Sequence, residues 1–313
     1  MIDKLIGNTP IVKIKYDYLG NVRNIYVKLE YYNYTGSIKD RLALYILKEA
    51  KRKGILKDKQ MIVEATSGNT GISFAAIGAL LGHEVHIFMP SSASIERRKL
   101  LKLYGAKLHI IDNGFIEAIN EADKFALENN GFRPNQFSNI MNIETHYYGI
   151  GKELIKEVPS IEGFVSGIGT GGTLIGVGKR LKEYNKNIKV IALEPSSMPL
   201  LSENKIIGPH KIEGIGDDFI PSLVDRNIID DIIKINDRDA INMSRMLARE
   251  FGLGVGISGG ANLLAGVISG IDNIATVFAD DAKKYLSTDL IEDIDNSEEL
   301  ISNKVKLLNI EVI

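Results

Sequence analysis

Short apolar runs alternate with longer amphipathic segments along most of the chain. The runs NIYVKLE (24–30), QMIVEA (60–65) and EVHIFMP (84–90) are rich in apolar and β-branched residues, which is typical of buried strands. Between the first two, SIKDRLALYILKEAKRKG (37–54) repeats apolar side chains at helical spacing and therefore predicts a helix. Strands that alternate with helices in this way predict parallel sheets with helices on both faces.

The alternation continues through both halves of the chain, which predicts two such layers with a cleft between them. In the helix at 37–54, Ser37 is placed to cap the amino terminus and Asp40 completes a capping-box pattern. The final segment, 289–313, has a weak pattern and is expected to pack on the surface. Further helices are predicted over 72–82, 94–106, 115–130, 174–185 and 237–252, and further strands over 107–112, 163–169, 188–195 and 273–280.

Composition narrows the possible functions. The 313 residues carry a formal net charge of −2 without a basic block, so no nucleic-acid or membrane partner is expected. The absence of cysteine excludes disulfides and thiolate chemistry, and the five histidines lack a metal-binding spacing, so no metal is expected. The most apolar run, FAAIGALLG (74–82), is too short to cross a bilayer, and no signal peptide is recognisable, so a cytoplasmic protein is expected.

The loop TSGNTG (66–71) lies between a predicted strand and a predicted helix. Unpaired backbone N–H groups and the helix dipole favour an anion at such a place. The side chains of Thr66, Ser67, Asn69 and Thr70 add short hydrogen-bonding groups. The loop is therefore either a site for a carboxylate-sized anion or an ordinary turn.

A second glycine-rich loop, GIGTGGT (167–173), also joins a predicted strand to a predicted helix. Its glycines match GxGxxG, and Glu194 ends the next strand, where a ribose-binding acid lies in a dinucleotide-binding unit. A dinucleotide site is therefore one interpretation. No Walker lysine follows, which disfavours an NTPase, and the glycine nest suits a phosphate in either case.

Lys39 occupies the first turn of the helix predicted over 37–54, where the positive end of the helix dipole disfavours an ammonium group. A lysine held closer to neutrality is both a nucleophile and a base, whereas a surface lysine beside Asp40 would have no such role. A third loop, GVGISGGA (254–261), places Ser258 between glycines and is otherwise a plain turn. A phosphate cradle, an anion loop and an activated lysine are the parts needed to hold pyridoxal phosphate and an amino acid.

These motifs stand in an order that is specific to one family. They are IGNTPIVKI, YTGSIKDR, EATSGNTGI, MPSSASIERRKLLKLYGA, QFSNIMNIETH, GIGTGGTLIG, HKIEGIGDDFIP, GISGGAN and KKYLST. From residue 6 to about 288 the chain resembles the cysteine synthase (O-acetylserine sulfhydrylase) and cystathionine β-synthase family of fold-type-II pyridoxal phosphate enzymes. The resemblance implies a homodimer of two-domain α/β chains, with a smaller domain over 35–142 and a larger domain combining 1–34 with 143–313. Beside it the dinucleotide interpretation is remote.

The resemblance also implies roles for individual residues. Lys39 would form the internal Schiff base with pyridoxal phosphate and move the substrate's Cα proton. Asn69 would contact the ring hydroxyl of the cofactor, and Ser258 would face its pyridine nitrogen. The cofactor phosphate would be bound by Gly169, Thr170, Gly171, Gly172 and Thr173. The substrate carboxylate would be bound by Thr66, Ser67, Thr70 and Gln136.

The implied reaction is β-replacement on a three-carbon L-amino acid through an aminoacrylate intermediate. The first expectation is a cysteine synthase, which converts O-acetyl-L-serine and sulfide into L-cysteine and acetate. The chain departs from the family pattern HKIQGIGAGF, because its segment HKIEGIGDDF contains Glu213, Asp217 and Asp218. Unless they point away, carboxylates near the β-carbon would repel hydrosulfide by on the order of a kcal/mol each.

That departure supports an alternative reaction. In it the enzyme consumes cysteine, releases hydrogen sulfide and forms serine or lanthionine, with Glu213 as the base. An NAD-dependent Rossmann oxidoreductase is a remote third interpretation, which depends on the GxGxxG loop and Glu194 alone.

Overall fold

The computed structural model describes residues 2–112 and 114–313. In this part of the chain the strands are β1 (Ile11–Tyr18), β2 (Asn21–Leu29), β3 (Ile62–Ala65), β4 (Val85–Pro90), β5 (Lys107–Ile111), β6 (Gly163–Gly167), β7 (Lys189–Pro195), β8 (Asp231–Ile235), β9 (Ile274–Phe278) and β10 (Val305–Val312). The helices are α1 (Lys39–Arg52), α2 (Asn69–Leu81), α3 (Ile95–Leu103), α4 (Phe115–Glu128), α5 (Met141–Tyr148), α6 (Ile150–Glu157), α7 (Gly172–Tyr184), α8 (Leu200–Glu203), α9 (Asp237–Phe251) and α10 (Ile257–Ser269). Of these described helices, none combines the length and the apolar character that a bilayer-spanning helix requires.

The strands of the described residues form two sheets. The larger sheet has the order β10-β1-β2-β9-β6-β7-β8, and the smaller sheet has the order β3-β4-β5. Neighbouring strands are parallel, apart from β1, which runs antiparallel to both β2 and β10. The prediction of an α/β protein with parallel-rich sheets flanked by helices is confirmed. The smaller sheet falls within 35–142 and the larger sheet outside that range, and the domain limits themselves stay a prediction.

Helices cover both faces of each sheet. In the larger sheet, Val165 packs in a core with α9 and α10, whereas its neighbour Phe164 packs in a second core with α6 and α7. In the smaller sheet, Ile62 faces α1 and α2, and Val63 faces α4. Strands that are buried on both faces carry apolar residues at successive positions, which explains the unbroken apolar runs in the sequence.

The start of α1 differs from the sequence prediction. The helix begins at Lys39 rather than at Ser37, whose hydroxyl accepts a hydrogen bond from the Lys39 N–H at 3.3 Å. Asp40 does not pair with Ser37, because its carboxylate accepts from the N–H and the hydroxyl of Thr35, both at 2.6 Å. Gly36, at a φ of +81°, turns the chain so that Thr35 can reach back to the helix start.

Several elements have no clear signal in the sequence. The strands β1, β8 and β10 and the helices α5, α6 and α10 were not predicted. Segment 289–313 ends in β10, which pairs with β1 at the edge of the larger sheet, so that its outer positions, such as Leu308 and Val312, stay exposed. The helix α10 contains Gly260, where a Cβ would lie 2.2 Å from the carbonyl oxygen of Ala240 in α9. Close packing of α9 against α10 therefore requires glycine at this position, although glycine has a low helix propensity.

A buried ion-pair network fixes the start of α1 to β2 and α6. Arg41 donates to both carboxylate oxygens of Glu30, at 2.6 and 2.9 Å, and to Glu153 Oε2 at 2.8 Å. Lys28 Nζ lies 2.9 Å from the same oxygen of Glu153 and 2.8 Å from Glu157. Burial alone would raise the pKa of Glu153, but the hydrogen bonds and charges of Arg41 and Lys28 outweigh it and lower the pKa to about 2.

We expect Glu153→Gln to lower the free energy of unfolding by about 3 kcal/mol at neutral pH, because the change removes one partner from buried ion pairs. Ionised Glu153 stabilises the fold above its ordinary pKa of 4.5, and this contribution is lost as the pH falls towards its folded pKa of about 2. The difference between variant and wild type should therefore shrink over that range. Urea denaturation followed by circular dichroism measures both effects.

The matched control is Glu311→Gln, which removes the exposed ion pair between Glu311 and Lys13 on the outer strand β10. This variant should unfold at the wild-type urea concentration, since exposed pairs contribute little to stability. Equal unfolding midpoints for Glu153→Gln and wild type at neutral pH would contradict the role of the network.

Candidate active site

One cleft lies where loops of the two sheets meet. It is bordered by the loops that follow β3 and β6 and by the first turns of α1 and α10. We call its two parts the inner lobe and the outer lobe. The inner lobe is lined by Lys39, Asn69, Gly169, Thr170, Gly171, Thr173, Ser258, Asp280 and Tyr285. The outer lobe is lined by Lys39, Thr66, Ser67, Gly68, Thr70, Arg97, Gln136, Glu213 and Asp217.

Lys39 borders both lobes from the first turn of α1. The residue before it is fixed to the larger sheet, because the Ile38 N–H donates to the carbonyl of Ala279 at 2.8 Å, just beyond β9. Burial lowers the pKa of Lys39, while the negative charges of Asp217 and Asp280 raise it. Since burial is the larger effect, the amine is closer to neutrality than a lysine in water.

The 66–70 loop forms one wall of the outer lobe. The Thr66 hydroxyl accepts from the Gly68 N–H at 3.1 Å, which shapes the turn into α2. The Thr70 hydroxyl donates to Gln136 Oε1 at 2.7 Å, and Gln136 Nε2 donates to the carbonyl of Ala65 at 3.2 Å. The structure thus brings together all four residues predicted for the carboxylate, beside the unpaired N–H groups that begin α2. Such a site is suited to a carboxylate.

The inner lobe contains a hydrogen-bonded group that the sequence analysis missed. The Asn69 amide donates to Asp280 Oδ2 at 2.7 Å, and the Tyr285 hydroxyl donates to the same oxygen at 2.8 Å. Burial raises the pKa of Tyr285, which keeps its hydroxyl protonated. Asn69 Oδ1 and Asp280 Oδ1 are buried without a partner among the described residues. Orphaned polar atoms of this kind fit a site for a polar ligand.

The 169–173 loop forms a nest at the amino terminus of α7. Gly171 has a φ of +86°, a conformation that favours glycine. A Cβ on Gly169 would lie 2.3 Å from the carbonyl oxygen of Gly214, and one on Gly172 would lie 2.0 Å from Asn142 Oδ1. These glycines therefore let the loop pack closely against its neighbours, and the loop also lines the inner lobe. The N–H groups at the helix start and the helix dipole favour a phosphate there.

Two side chains that the sequence analysis missed support this nest from behind. Asn142 donates to the hydroxyl of Thr170 at 2.9 Å, and His146 Nε2 lies 3.3 Å from the hydroxyl of Thr173. Burial lowers the pKa of His146 well below its ordinary value, so its imidazole is neutral at physiological pH. Both residues lie in the stretch QFSNIMNIETH (136–146), whose sequence does not indicate this role, and only the folded chain brings them to the loop.

Ser258 and Glu194 lie in different surroundings from those that the sequence suggested. Ser258 is buried in the first turn of α10 rather than in a plain turn, and it lines the inner lobe. The carboxylate of Glu194 accepts from the N–H groups of Leu201 and Ser202, at 2.8 and 3.2 Å. Its oxygens are therefore used inside the protein, which removes the acid that the dinucleotide interpretation required.

The acidic residues that depart from the family pattern have three different environments. Glu213 forms an ion pair with Arg97, a buried residue of α3 that the sequence analysis did not single out. Asp217 lines the outer lobe, and burial and the charge of Asp218 raise the pKa of Asp217 to about 6. Asp218 itself is exposed and lines neither lobe. Among the described residues, the Asp217 carboxylate has no hydrogen-bond or ion-pair partner.

The donor set of the inner lobe fits pyridoxal phosphate. It offers a buried amine, a phosphate nest at a helix amino terminus, an amide and a serine hydroxyl around one space. These groups would be met by the aldehyde, the phosphate, the ring hydroxyl and the ring nitrogen of the cofactor. The adjoining outer lobe leaves room for an amino acid whose carboxylate faces the 66–70 loop.

Comparisons with known proteins agree with this fit. The family described as pyridoxal-phosphate dependent enzyme matches residues 2–279. A cysteine synthase from Staphylococcus aureus is 42% identical over 298 residues, which cover 92% of this chain and 96% of that protein. Cysteine synthase B from Campylobacter jejuni is 41% identical over 297 residues, which cover 92% of this chain and 97% of that protein.

A solved structure extends the similarity to the whole chain. A hydrogen sulfide-producing enzyme from Fusobacterium nucleatum is 45% identical, with a TM-score of 0.94 over 100% of this chain and 98% of that one. The chain therefore belongs to the pyridoxal-phosphate dependent enzymes related to cysteine synthase, and its cofactor is pyridoxal 5'-phosphate.

Proposed function

We propose that this enzyme acts on L-cysteine, from which it releases hydrogen sulfide and forms L-serine by adding water at the β-carbon. The observation that carries the proposal is Asp217, an unpartnered carboxylate with a raised pKa in the lobe where the β-carbon would lie. Water needs a base to attack, whereas hydrosulfide is already an anion and needs none. The similar structure from Fusobacterium nucleatum, named for hydrogen sulfide production, supports the release of hydrogen sulfide.

Different residues of the cleft would serve different steps of this reaction. Pyridoxal phosphate, when bound, withdraws electrons from the substrate Cα, so that the Cα proton and the β-substituent can leave. Lys39 would hold the cofactor and then accept and return the Cα proton, a role that suits a buried amine of lowered pKa. The 66–70 loop and Gln136 would orient the substrate through its carboxylate. Ser258 would offer a neutral hydroxyl to the ring nitrogen and so would not increase the electron withdrawal as a carboxylate would.

Asp217 would accept a proton from a water molecule while the oxygen of that water attacks the β-carbon of the substrate. Lys39 and Asp217 both line the outer lobe, so Asp217 would face the reacting end of a substrate held beside Lys39. Glu213, the base suggested by the sequence, has its carboxylate paired with the Arg97 guanidinium. Since that carboxylate is already engaged by Arg97, the geometry favours the unpaired Asp217 for this role.

Cysteine synthesis from O-acetyl-L-serine and sulfide is the second candidate. It is supported by the curated relatives from Staphylococcus aureus and Campylobacter jejuni, which are named cysteine synthases. The same lysine, loops and cofactor would serve it, and the two reactions differ in the donor and in the nucleophile. For either reaction we propose a homodimer, as the family resemblance implies, and we propose that it works in the cytoplasm.

The two candidates are separated by incubating the purified holoenzyme first with L-cysteine alone and then with O-acetyl-L-serine plus sulfide. We expect sulfide and serine in equal amounts from cysteine alone. Lanthionine in place of serine would mean that a second cysteine, rather than water, is the nucleophile. Rapid cysteine formation in the second incubation, with no sulfide from cysteine in the first, would establish cysteine synthase instead.

We expect Asp217→Asn to lower the rate of serine formation from cysteine by about a hundredfold or more, because a positioned base is lost. In the wild type the rate should rise with pH through an acidic limb at about pH 6 or slightly above, since Asp217 must be ionised to act. The variant should lack this limb. The matched control is Asp218→Asn, which should stay active and move the limb to lower pH, because the charge of Asp218 raises the pKa of Asp217. A full rate in Asp217→Asn would reject the assignment.

We expect borohydride reduction of the holoenzyme to attach the cofactor to Lys39, as peptide mapping by mass spectrometry would show. Lys39→Ala should lose both the label and the activity. The control is Lys284→Arg, which changes a second buried lysine whose ammonium donates to the carbonyl of Gly36 at 2.9 Å, beside the same turn. That variant should keep the label on Lys39, and a label on any other lysine of the wild type would overturn the assignment.

A further inference from the structure

The side chain of Arg97 extends from α3 across the cleft. It reaches the side of the outer lobe that belongs to the larger sheet. Its side chain is 3% exposed, and its guanidinium lies 4.8 Å from the centre of the Tyr285 ring. The stem of Arg97 lies against Gly68, where a Cβ would be 2.2 Å from Arg97 Cδ. One end of the guanidinium pairs with Glu213, while Nε is buried without a hydrogen-bond partner among the described residues. A buried arginine with an unused donor borders the substrate site directly.

Glu213 and Asp217 line two adjoining pockets, the outer lobe and a wider pocket beside it, which we call the mouth. A nucleophile that entered the outer lobe through this mouth would pass both carboxylates, and we call that path the route. The other charges of that mouth include Lys211 and Asp289, which pair with each other. Taken by themselves, Arg97, Glu213 and Asp217 carry one negative charge when both acids are ionised.

We propose that Arg97 is a specificity-determining residue for the nucleophile. Its positive charge neutralises Glu213, so the negative charge of Asp217 remains along the route. That charge admits neutral or cationic nucleophiles and disfavours anions. The inference deepens the proposed function, on which it rests, because it names the class of nucleophile as water or an uncharged or cationic thiol. Each unit of charge at this distance should change the relative rate for an anion on the order of tenfold.

Three thiols of similar size form a charge series that tests the inference. They are mercaptoacetate, 2-mercaptoethanol and cysteamine, whose tails are anionic, neutral and cationic. Each would replace the thiol of cysteine, so that one C–S bond breaks, another forms and hydrogen sulfide leaves with the proton of the incoming thiol. All three compete in one vessel with L-cysteine as the common donor, at about pH 8, and the S-substituted cysteines are quantified by mass spectrometry. Product ratios do not depend on how much of the enzyme is folded.

The wild type should incorporate the anionic thiol least. Glu213→Gln should raise the ratio of anionic to neutral product on the order of tenfold, and Arg97→Gln should lower it by a similar factor. The ratio of cationic to neutral product should move in the opposite direction in each variant. The double variant should return both ratios to near the wild-type values, and Arg97→Lys should keep them there because it conserves the charge.

Product ratios that are the same in all variants, or the absence of any thiol incorporation, would overturn the inference. If Arg97→Lys changed the product ratios as much as Arg97→Gln does, the shape of the side chain rather than its charge would be decisive. That result would also overturn the inference. Failure of the proposed function looks different. If the proposed function is wrong, the enzyme releases no sulfide from cysteine. The same competition among the three thiols, run with O-acetyl-L-serine as the donor, then still measures the effect of charge on the product ratios.

Discussion

The buried charges around the first two turns of α1 determine where the cleft lysine lies. Arg41 is fixed to Glu30 at the end of β2, and Ile38 is fixed to Ala279 beyond β9, so the turn between them has little freedom. Lys39 therefore enters the cleft from a rigid base. A buried ion pair is expensive to form, since both partners lose their hydration, and it contributes little net stability. Its value here is positional, because it holds an amine in a place where burial lowers the pKa.

Lys39 and Asp217 form a coupled pair of groups. The charge of Asp217 raises the pKa of Lys39, and the charge of Lys39 lowers the pKa of Asp217. When Lys39 loses its positive charge, Asp217 loses this stabilisation and becomes a stronger base. The proton affinity of Asp217 therefore depends on the charge of Lys39. A fully exposed carboxylate would not show this coupling, because water would screen the two charges.

The sequence was sufficient to predict most strands of the two sheets and the loops of the cleft, but neither the strands β1, β8 and β10 nor the contacts between distant segments. Apolar strands alternating with helices predict parallel sheets, and the loops at their carboxyl ends converge at one edge, so the 66–70 and 169–173 loops could be located. Arg97 could not be distinguished from its neighbour Arg98, since both belong to one amphipathic helix and only the fold buries the first. Asp280 was likewise hidden at the end of a strand, because its partners lie far away in sequence.

The three acids of the HKIEGIGDDF segment show why a motif alone does not determine the chemistry of this cleft. In the sequence they are equivalent negative charges, but in the structure Glu213 is paired, Asp217 is unpaired in the cleft and Asp218 is exposed. Glutamine at 213 and a small residue at 217, as in the pattern HKIQGIGAGF, would leave Arg97 unpaired and make the outer lobe more positive by two charges. That change would favour hydrosulfide. The residues at 213 and 217 therefore act on the charge of the outer lobe together with one arginine that lies outside the motif.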